Sequence, residues 1–199
     1  GTPGNGALVE DIHPGVAGAN VTEFTDLGGV LYFRADDGSH GPELWRSDGT
    51  AAGTVMVKDV NPGPTGSMPS FLTAVGDVLY FTASDGTHGY ELWRSDGTAA
   101  GTTMVADIAP GVGGSAPRQV TDWNGALYFM ADDGVYGLEL WRSDGTEAGT
   151  ALVKDINPGP DGSTPDGMTP FLSRLFFAAT DAASGRELWS TNGTDAGTM

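Results

Sequence analysis

The sequence predicts an all-β fold, and three observations support this prediction. The chain of 199 residues contains 32 Gly and 12 Pro, which favour turns, while 39% of its residues are hydrophobic, enough for a packed core. No segment shows the periodicity of an amphipathic helix. The string Glu-Leu-Trp begins at residues 43, 91, 139 and 187, a constant step of 48 residues. Many short strands, organised in four repeats, are therefore expected.

Each repeat contains four strand candidates separated by turn signals. In the unit that begins at Ser70, they are residues 70–75, 78–84, 90–95 and 103–108. Between the first two strands the third unit holds Asn124-Gly125, a strong signal for a two-residue hairpin. The strands carry apolar residues on both faces, such as Leu79 on one and Tyr80 on the other. We therefore expect each unit to be a four-stranded antiparallel sheet packed between two neighbours.

A longer connection, rich in Pro and Gly, joins each unit to the next, at 61–69, 109–117 and 157–165. A connection of this length suits a return from the outer strand of one sheet to the inner strand of the next, and the length of the unit is typical of propeller blades. The sequence thus predicts a four-bladed β-propeller with four antiparallel strands per blade, in a single domain, 1–199. Its repeats are 13–60, 61–108, 109–156 and 157–199.

The two ends of the chain predict how the ring closes. Residues 7–12 (ALVEDI) align with the fourth strand of a unit, whereas the last clear strand, 186–191, aligns with the third. We expect 7–12 to be the outer strand that pairs with 186–191 and closes the ring, because pairing removes both open edges. The alternative is half of a larger propeller shared between chains. The pattern favours a monomer over a ring-sharing homodimer.

The repeated motif resembles a known family. ELWRSDGTAAGT at 91–102 and ELWRSDGTEAGT at 139–150 are followed by strands such as LVKDINPGP at 152–160, and LYF precedes an Asp-Gly turn. These residues are similar to the bacterial ELWxxDGT repeats, also called hyalin-like, and the resemblance covers essentially the whole chain. It implies a large bacterial protein that is secreted or attached to the cell surface. It implies no established chemistry.

Charge and composition exclude several functions. Nine Lys and Arg stand against 26 Asp and Glu, a formal net charge of −17, so nucleic acid and anionic membrane surfaces are disfavoured as partners. The absence of Cys excludes disulfides, thiolate nucleophiles and Cys-ligated zinc. No apolar run approaches the ~18 residues of a membrane span, so no membrane insertion is expected.

One set of acidic residues is a candidate metal site. Asp37, Asp85, Asp133 and Asp181 recur in the loop between the second and third strands. In a propeller this loop shares a face with the long connections, so the four carboxylates would form part of an acidic rim. Oxygen ligands from flexible loops suit calcium, which is the one cofactor that the sequence suggests. The competing interpretation is ordinary Asp-Gly turn chemistry.

Two other residue types recur within the third strand. The tryptophans at 45, 93, 141 and 189 are expected to pack between blades. Glu43, Glu91, Glu139 and Glu187 are expected to be partly buried, and a buried carboxylate needs a donor or a cation. Because an Arg follows the first three of them three residues later, with Ser190 in its place in the last unit, we expect structural ion pairs between strands or blades.

The sequence favours a non-catalytic recognition module. The departures from the repeat are scattered, and no Ser-His-Asp set, phosphate-binding loop or zinc-protease motif is present, so no enzyme is expected. A rigid ring that presents loops to a protein or glycan ligand fits best. One alternative is a structural repeat scaffold or spacer stabilised by calcium. A less favoured one is a glycan-active hydrolase, because propellers can carry paired carboxylates.

Overall fold

The computed structural model describes residues 6–199, which form fifteen β-strands in four antiparallel sheets. Sheet 1 contains β1 (Thr22–Leu27), β2 (Val30–Asp36), β3 (Pro42–Ser47) and β4 (Val55–Lys58). Sheet 2 contains β5 (Ser70–Val75), β6 (Val78–Ser84), β7 (Tyr90–Ser95) and β8 (Thr103–Ala106). Sheet 3 contains β9 (Arg118–Trp123), β10 (Ala126–Asp132), β11 (Leu138–Ser143) and β12 (Ala151–Lys154). Sheet 4 contains β13 (Asp166–Phe171), β14 (Arg174–Asp181) and β15 (Gly185–Thr191).

The all-β prediction is confirmed, and each sheet is a simple meander in which every strand pairs with the next along the chain. The described residues contain no helix, and therefore none that could cross a membrane. The predicted strands at 70–75, 78–84 and 90–95 match β5 to β7. The fourth strand ends at Ala106 rather than at residue 108. The amide of Ile108 donates to the Glu91 carboxylate (3.2 Å) instead of continuing the ladder.

The hydrophobic core consists of three clusters, each of which joins two consecutive sheets. Between sheets 1 and 2, for example, Tyr32 and Leu44 of sheet 1 pack with Leu79, Phe81 and Trp93 of sheet 2. The clusters between sheets 2 and 3 and between sheets 3 and 4 repeat this arrangement with the equivalent residues. The prediction that the tryptophans pack between sheets is confirmed for Trp93, Trp141 and Trp189.

The inner strands of consecutive sheets contact one another, β1 with β5, β5 with β9 and β9 with β13. Each inner strand is interrupted where the residue at the same repeat position has positive φ. These residues are Glu23 (61°), Phe71 (57°), Gln119 (58°) and Gly167 (68°). The bulge turns backbone amides toward the preceding sheet: the Phe71 amide donates to Glu23 Oε2 (2.8 Å), and the Gly167 amide donates to Gln119 Oε1 (3.2 Å).

The predicted closure by residues 7–12 is not what the structure shows. These residues form no strand and lie beside sheet 1, where Leu8, Val9 and Ile12 border a groove of about 560 Å³ together with Phe24 and Leu31. The outer edge of β15 instead pairs with the last residue of the chain. The Ser190 amide donates to Met199 O (2.8 Å) and the Met199 amide to Ser190 O (3.0 Å).

Candidate functional site

The long connections and the loops between second and third strands form one continuous face. The Met68 amide donates to Pro42 O (3.0 Å), and the same bond recurs from Ala116 to Tyr90 O and from Thr164 to Leu138 O (both 2.9 Å). The two segments approach so closely that a Cβ on Gly41 would lie 2.6 Å from Pro64 O. Each connection is therefore held against the first residue of the third strand in the preceding sheet.

A buried glutamate accepts hydrogen bonds from both ends of each connection. Glu43, Glu91 and Glu139 are fully buried, whereas Glu187, for which the sequence also predicted partial burial, is exposed. Glu91 Oε1 accepts hydrogen bonds from the amides of Ala109 (3.1 Å) and Ser115 (2.9 Å), and its Oε2 accepts one from Ser115 Oγ (2.5 Å). One side chain thus joins the two ends of a connection that would otherwise contain only turns.

The same hydrogen bonds recur in the other connections. Glu43 accepts from the amides of Asn61 (3.1 Å) and Ser67 (2.9 Å), and Glu139 accepts from the Asn157 amide (3.0 Å) and Ser163 Oγ (2.5 Å). Burial raises the pKa of all three carboxyl groups, and the hydrogen bonds from serine and main chain oppose this increase.

The predicted ion pairs between these glutamates and the arginines are wrong. The ion pairs found within residues 6–199 join other groups, and the arginines reach the next sheet instead. Arg94 donates to Gly145 O (3.3 Å) and Arg142 to Gly193 O (3.4 Å). The missed partners are Ser67, Ser115 and Ser163. Their recurrence at the repeat step in the connection was the signal that could have identified them.

The four aspartates predicted as calcium ligands lie one in each repeat, well separated from one another along the chain. Three of them follow the end of the second strand directly, and Asp181 is the last residue of β14. Asp37 Oδ1 accepts from the amides of Ser39 (2.8 Å) and His40 (2.9 Å), and Oδ2 contacts His40 Nδ1 (2.7 Å). Asp85 repeats this arrangement with Thr87 and His88.

The third and fourth loops keep the turn but not the histidine. Asp133 accepts from the amides of Val135 and Tyr136 (both 2.9 Å), and Asp181 accepts from the Ala183 amide (2.9 Å). Within residues 6–199 no three His, Asp or Glu side chains are close enough together to hold a metal ion. The turn chemistry accounts for all four positions, and calcium binding stays a prediction.

The two Asp-His pairs have coupled pKa shifts. Burial pushes the pKa of Asp37 and Asp85 upward, but the hydrogen bonds from His40 and His88, together with those from the Ser39 and Thr87 amides, outweigh burial and hold both values below normal. The hydrogen bond to Asp37 raises the pKa of His40, and Asp59 and Glu43 add to this effect. His88 is affected in the same way, chiefly by Asp85. The pairs stabilise their turns and carry charge at the surface.

The loops between third and fourth strands, which we call the SDGT loops, begin with Ser-Asp-Gly-Thr at 47–50, 95–98 and 143–146. They form the opposite face and are held by hydrogen bonds within each loop. Asp48 Oδ1 accepts from the amide (2.9 Å) and hydroxyl (2.7 Å) of Thr50, and Ser47 Oγ contacts Thr54 Oγ1 (2.7 Å). The second and third repeats contain the same bonds. These polar groups are used in the turns.

No family model matches the chain, and no curated protein is similar to it. Among solved structures, it is similar to puromycin hydrolase, with 17% identity and a TM-score of 0.59 over 90% of this chain and 29% of that chain. It is also similar to a prolyl endopeptidase, with 13% identity and a TM-score of 0.54 over 86% of this chain and 24% of that chain. The chain thus spans less than a third of these proteins. At such identities the likeness shows the fold alone.

Proposed function

We propose that this chain is an arc of a β-propeller and serves as a non-catalytic recognition module, which binds a protein or glycan through the face that carries the long connections. The observation that carries this proposal is the buried glutamate below each connection. Glu43, Glu91 and Glu139 each fix a loop of nine residues from the inside. A loop that is ordered before binding loses less conformational entropy when a ligand binds.

The tips of these loops are available for contact. Val16 and Val112 occupy equivalent positions at the tips of two connections, and both are exposed. Pro64 and Pro160 occupy the same position in the other two. A repeated apolar tip on an acidic surface suits a ligand that offers an apolar patch and basic or neutral polar groups.

We propose no catalytic activity because the polar side chains on this face already have structural roles. The buried carboxylates hold loops, and the aspartates of the rim stabilise turns. Catalysis needs different groups in different roles at one place. A secreted or cell-surface location in a bacterium belongs to the same proposal and rests on the resemblance to ELWxxDGT repeats.

Ligand arrays test the recognition function. The labelled chain is applied to glycan and protein arrays together with Val112→Asp, which changes a connection tip, and Glu147→Ala, which changes an SDGT loop on the opposite face. We expect saturable binding that Val112→Asp weakens and Glu147→Ala leaves unchanged. Ala51 and Ala99 already occupy the position of Glu147, so this control is tolerated by the fold. Absence of saturable binding, or equal loss with both variants, contradicts the proposal.

A structural scaffold stabilised by calcium is the second candidate, and the three equivalent interfaces between sheets favour it. Thermal unfolding in millimolar calcium and in excess chelator separates the two. A higher Tm with calcium, together with no saturable binding on the arrays, supports the scaffold function. An equal Tm in both conditions removes the role of calcium.

A further inference from the structure

Every internal interface of the molecule joins the same two surfaces. We call the surface that a sheet presents to the following sheet its forward face, and the surface presented to the preceding sheet its rear face. The forward face of sheet 1 includes Tyr32 and Leu44, and the rear face of sheet 2 includes Leu79, Phe81 and Trp93. The other two interfaces contain the residues at the same repeat positions. Four sheets in a row therefore leave one rear face and one forward face without a neighbour.

Within the described residues, the rear face of sheet 1 has no neighbouring sheet. Leu31 is 39% exposed, whereas the equivalent residues in sheets 2 to 4 are at most 2% exposed. Phe24, on the same face, is 61% exposed. Gly97 and Gly145 lie directly under the hydroxyls of tyrosines from the preceding sheet, but no atom of residues 6–199 lies within 4 Å of a Cβ placed on Gly49, their equivalent in sheet 1. The rear face of sheet 1 thus has the residues that form an interface in the other sheets, but no preceding sheet packs on it.

The forward face of sheet 4 is free as well. Leu188 is 73% exposed, whereas its equivalents Leu44, Leu92 and Leu140 are completely buried. Phe171 is 60% exposed, although its equivalent Trp123 is only 6% exposed. The two unpaired surfaces belong to one chain, yet they do not cover each other. A four-sheet ring closed within the chain would bury both.

Residues 7–21 already occupy the position of a preceding unit on sheet 1. The Asp36 amide donates to Ala19 O (2.9 Å), as the equivalent Ser84 amide donates to Ser67 O (3.0 Å). His13 lies against Gly38 as Asn61 lies against Gly86. Residues 8–12 therefore lie where the fourth strand of a sheet before sheet 1 would lie, while Leu8 and Val9 remain exposed.

Sheet 4 has three strands within the described residues, and residues 8–12 have the pattern of a fourth. Among the described residues, β15 pairs with β14 on one edge and with Met199 alone on the other. Met199 occupies the position that Thr103 holds at the start of β8. Residues 8–12 of another copy have the pattern of the rest of that strand and would continue the ladder beyond Met199.

We propose that two copies of this chain associate head to tail into one ring of eight sheets, in which residues 8–12 of each copy complete sheet 4 of the other. The forward face of sheet 4 then packs on the rear face of sheet 1 of the partner, at two equivalent interfaces. A head-to-tail contact produces a closed ring only if the rotation that relates the two copies returns to the starting copy. In such a ring of two four-sheet copies, no sheet edge stays open. This assembly rests on the propeller arc and does not depend on ligand binding.

The proposal predicts a specific new contact for Glu187. This residue is equivalent to Glu43, Glu91 and Glu139 but is exposed in the single chain. In the ring, the amide of His13 of the second copy takes the position of the Asn61 and Asn157 amides, which donate to Glu43 and Glu139. Glu187 would thus become buried on assembly.

Native mass spectrometry and sedimentation of the 199-residue chain test the assembly. We expect twice the 20.4 kDa of one chain. Leu188→Asp places a charge in the proposed interface and is expected to weaken association by about tenfold or more. Val135→Asp is the matched control, because Val135 is similarly exposed (64%) but lies in a loop outside both faces. A monomer at all concentrations, or an open polymer, overturns the proposal.

A cysteine pair distinguishes closure within one chain from closure between two. In sheet 1, Leu44 of β3 pairs with Lys58 of β4, so the equivalent pair is Leu188 with Glu10. Directly opposed residues in antiparallel strands lie close enough for a disulfide. The chain has no other Cys, so Glu10→Cys/Leu188→Cys gives an unambiguous product on oxidation.

We expect a covalent dimer from the double variant, and no cross-linked ring from Glu10→Cys or Leu188→Cys alone. A disulfide within a monomer would instead demonstrate a closed four-sheet ring and overturn it. An unlinked monomer overturns it as well. None of these outcomes involves a ligand, so the array experiment and this one can fail independently.

Discussion

Glu91 illustrates how one side chain can determine the shape of a whole connection. Its two oxygens accept four hydrogen bonds, from the amides of Ile108, Ala109 and Ser115 and from Ser115 Oγ. The raised pKa shows that burial destabilises the charged form. The hydrogen bonds offset this cost, and without them the backbone amides would themselves be buried without acceptors.

Glu91→Ala is therefore expected to destabilise the protein by about 3 kcal/mol, because it leaves several buried donors without partners. The measurement is the free energy of unfolding in urea. Glu147→Ala is the control and should change it by less than about 0.5 kcal/mol, since Glu147 is exposed and alanine occupies its position in two other repeats. Similar effects of the two variants would contradict the role of Glu91.

The Asp-His pairs give the protein a pH dependence near neutrality. The pKa of His40 and His88 is raised in the folded protein, so their stabilising contribution is complete below the unfolded pKa. It is lost as the pH rises through the folded pKa. For Asp37 and Asp85, whose pKa is lowered, the contribution is present above the unfolded pKa and is lost in acid.

The double variant His40→Tyr/His88→Tyr is expected to lose part of this pH dependence. The free energy of unfolding of the native sequence should fall as the pH rises above about 6.5, the ordinary pKa of histidine, and the variant should show a smaller decrease. Tyr136 occupies the same position in the third repeat, so tyrosine is compatible with the loop. Parallel pH profiles for both proteins would show that the histidines contribute nothing.

The sequence allowed the burial of these glutamates to be predicted but not their partners. Arg three residues later is the obvious counter-charge in a strand, yet Arg94 and Arg142 extend to carbonyls of the next sheet. The actual donors, main-chain amides and a serine, lie 17 to 24 residues away in the chain. Only the folded connection brings them to the carboxylate.

At the scale of strands and loops, turn chemistry made most boundaries predictable. The irregularity of the inner strands was not predictable from composition. Phe71 and Gln119 adopt positive φ although neither is a residue that favours it. Their conformation is stabilised by hydrogen bonds to the neighbouring sheets, as at the Phe71 amide and Glu23. A contact between sheets thus overrides local preference.

Gly41 tests how tightly the loop and the connection are packed. Gly41→Ala is expected to destabilise the protein by more than about 2 kcal/mol, because the residue has φ of 67° and its Cβ would collide with the backbone at Pro64 and Gly66. Gly76→Asn is the control, since Gly76 has φ of 57° in open space and Asn124 occupies its position in the third repeat. Its expected change is below about 0.5 kcal/mol.

At the scale of the molecule, the repeat predicted which surfaces pack together but not how many sheets complete a ring. The phase of residues 7–12 was a useful signal, because His13 and Ala19, which follow them, contact sheet 1 as Asn61 and Ser67 contact sheet 2. The prediction that they close the same chain was wrong. The number of sheets in a ring depends on the angle between consecutive sheets, which the repeat pattern does not reveal.

The proposed ring makes the stability of the two ends depend on protein concentration. Strands β6 and β10 lie inside the row of sheets, so their amides should exchange with solvent at rates that do not change on dilution. Residues 8–12 and β15 gain their remaining contacts only in the dimer, so their protection should fall when the dimer dissociates. Hydrogen exchange followed by mass spectrometry at two concentrations measures both, with Leu188→Asp as the monomeric reference. Uniform exchange rates across both concentrations and the variant would show that the end faces stay open to water.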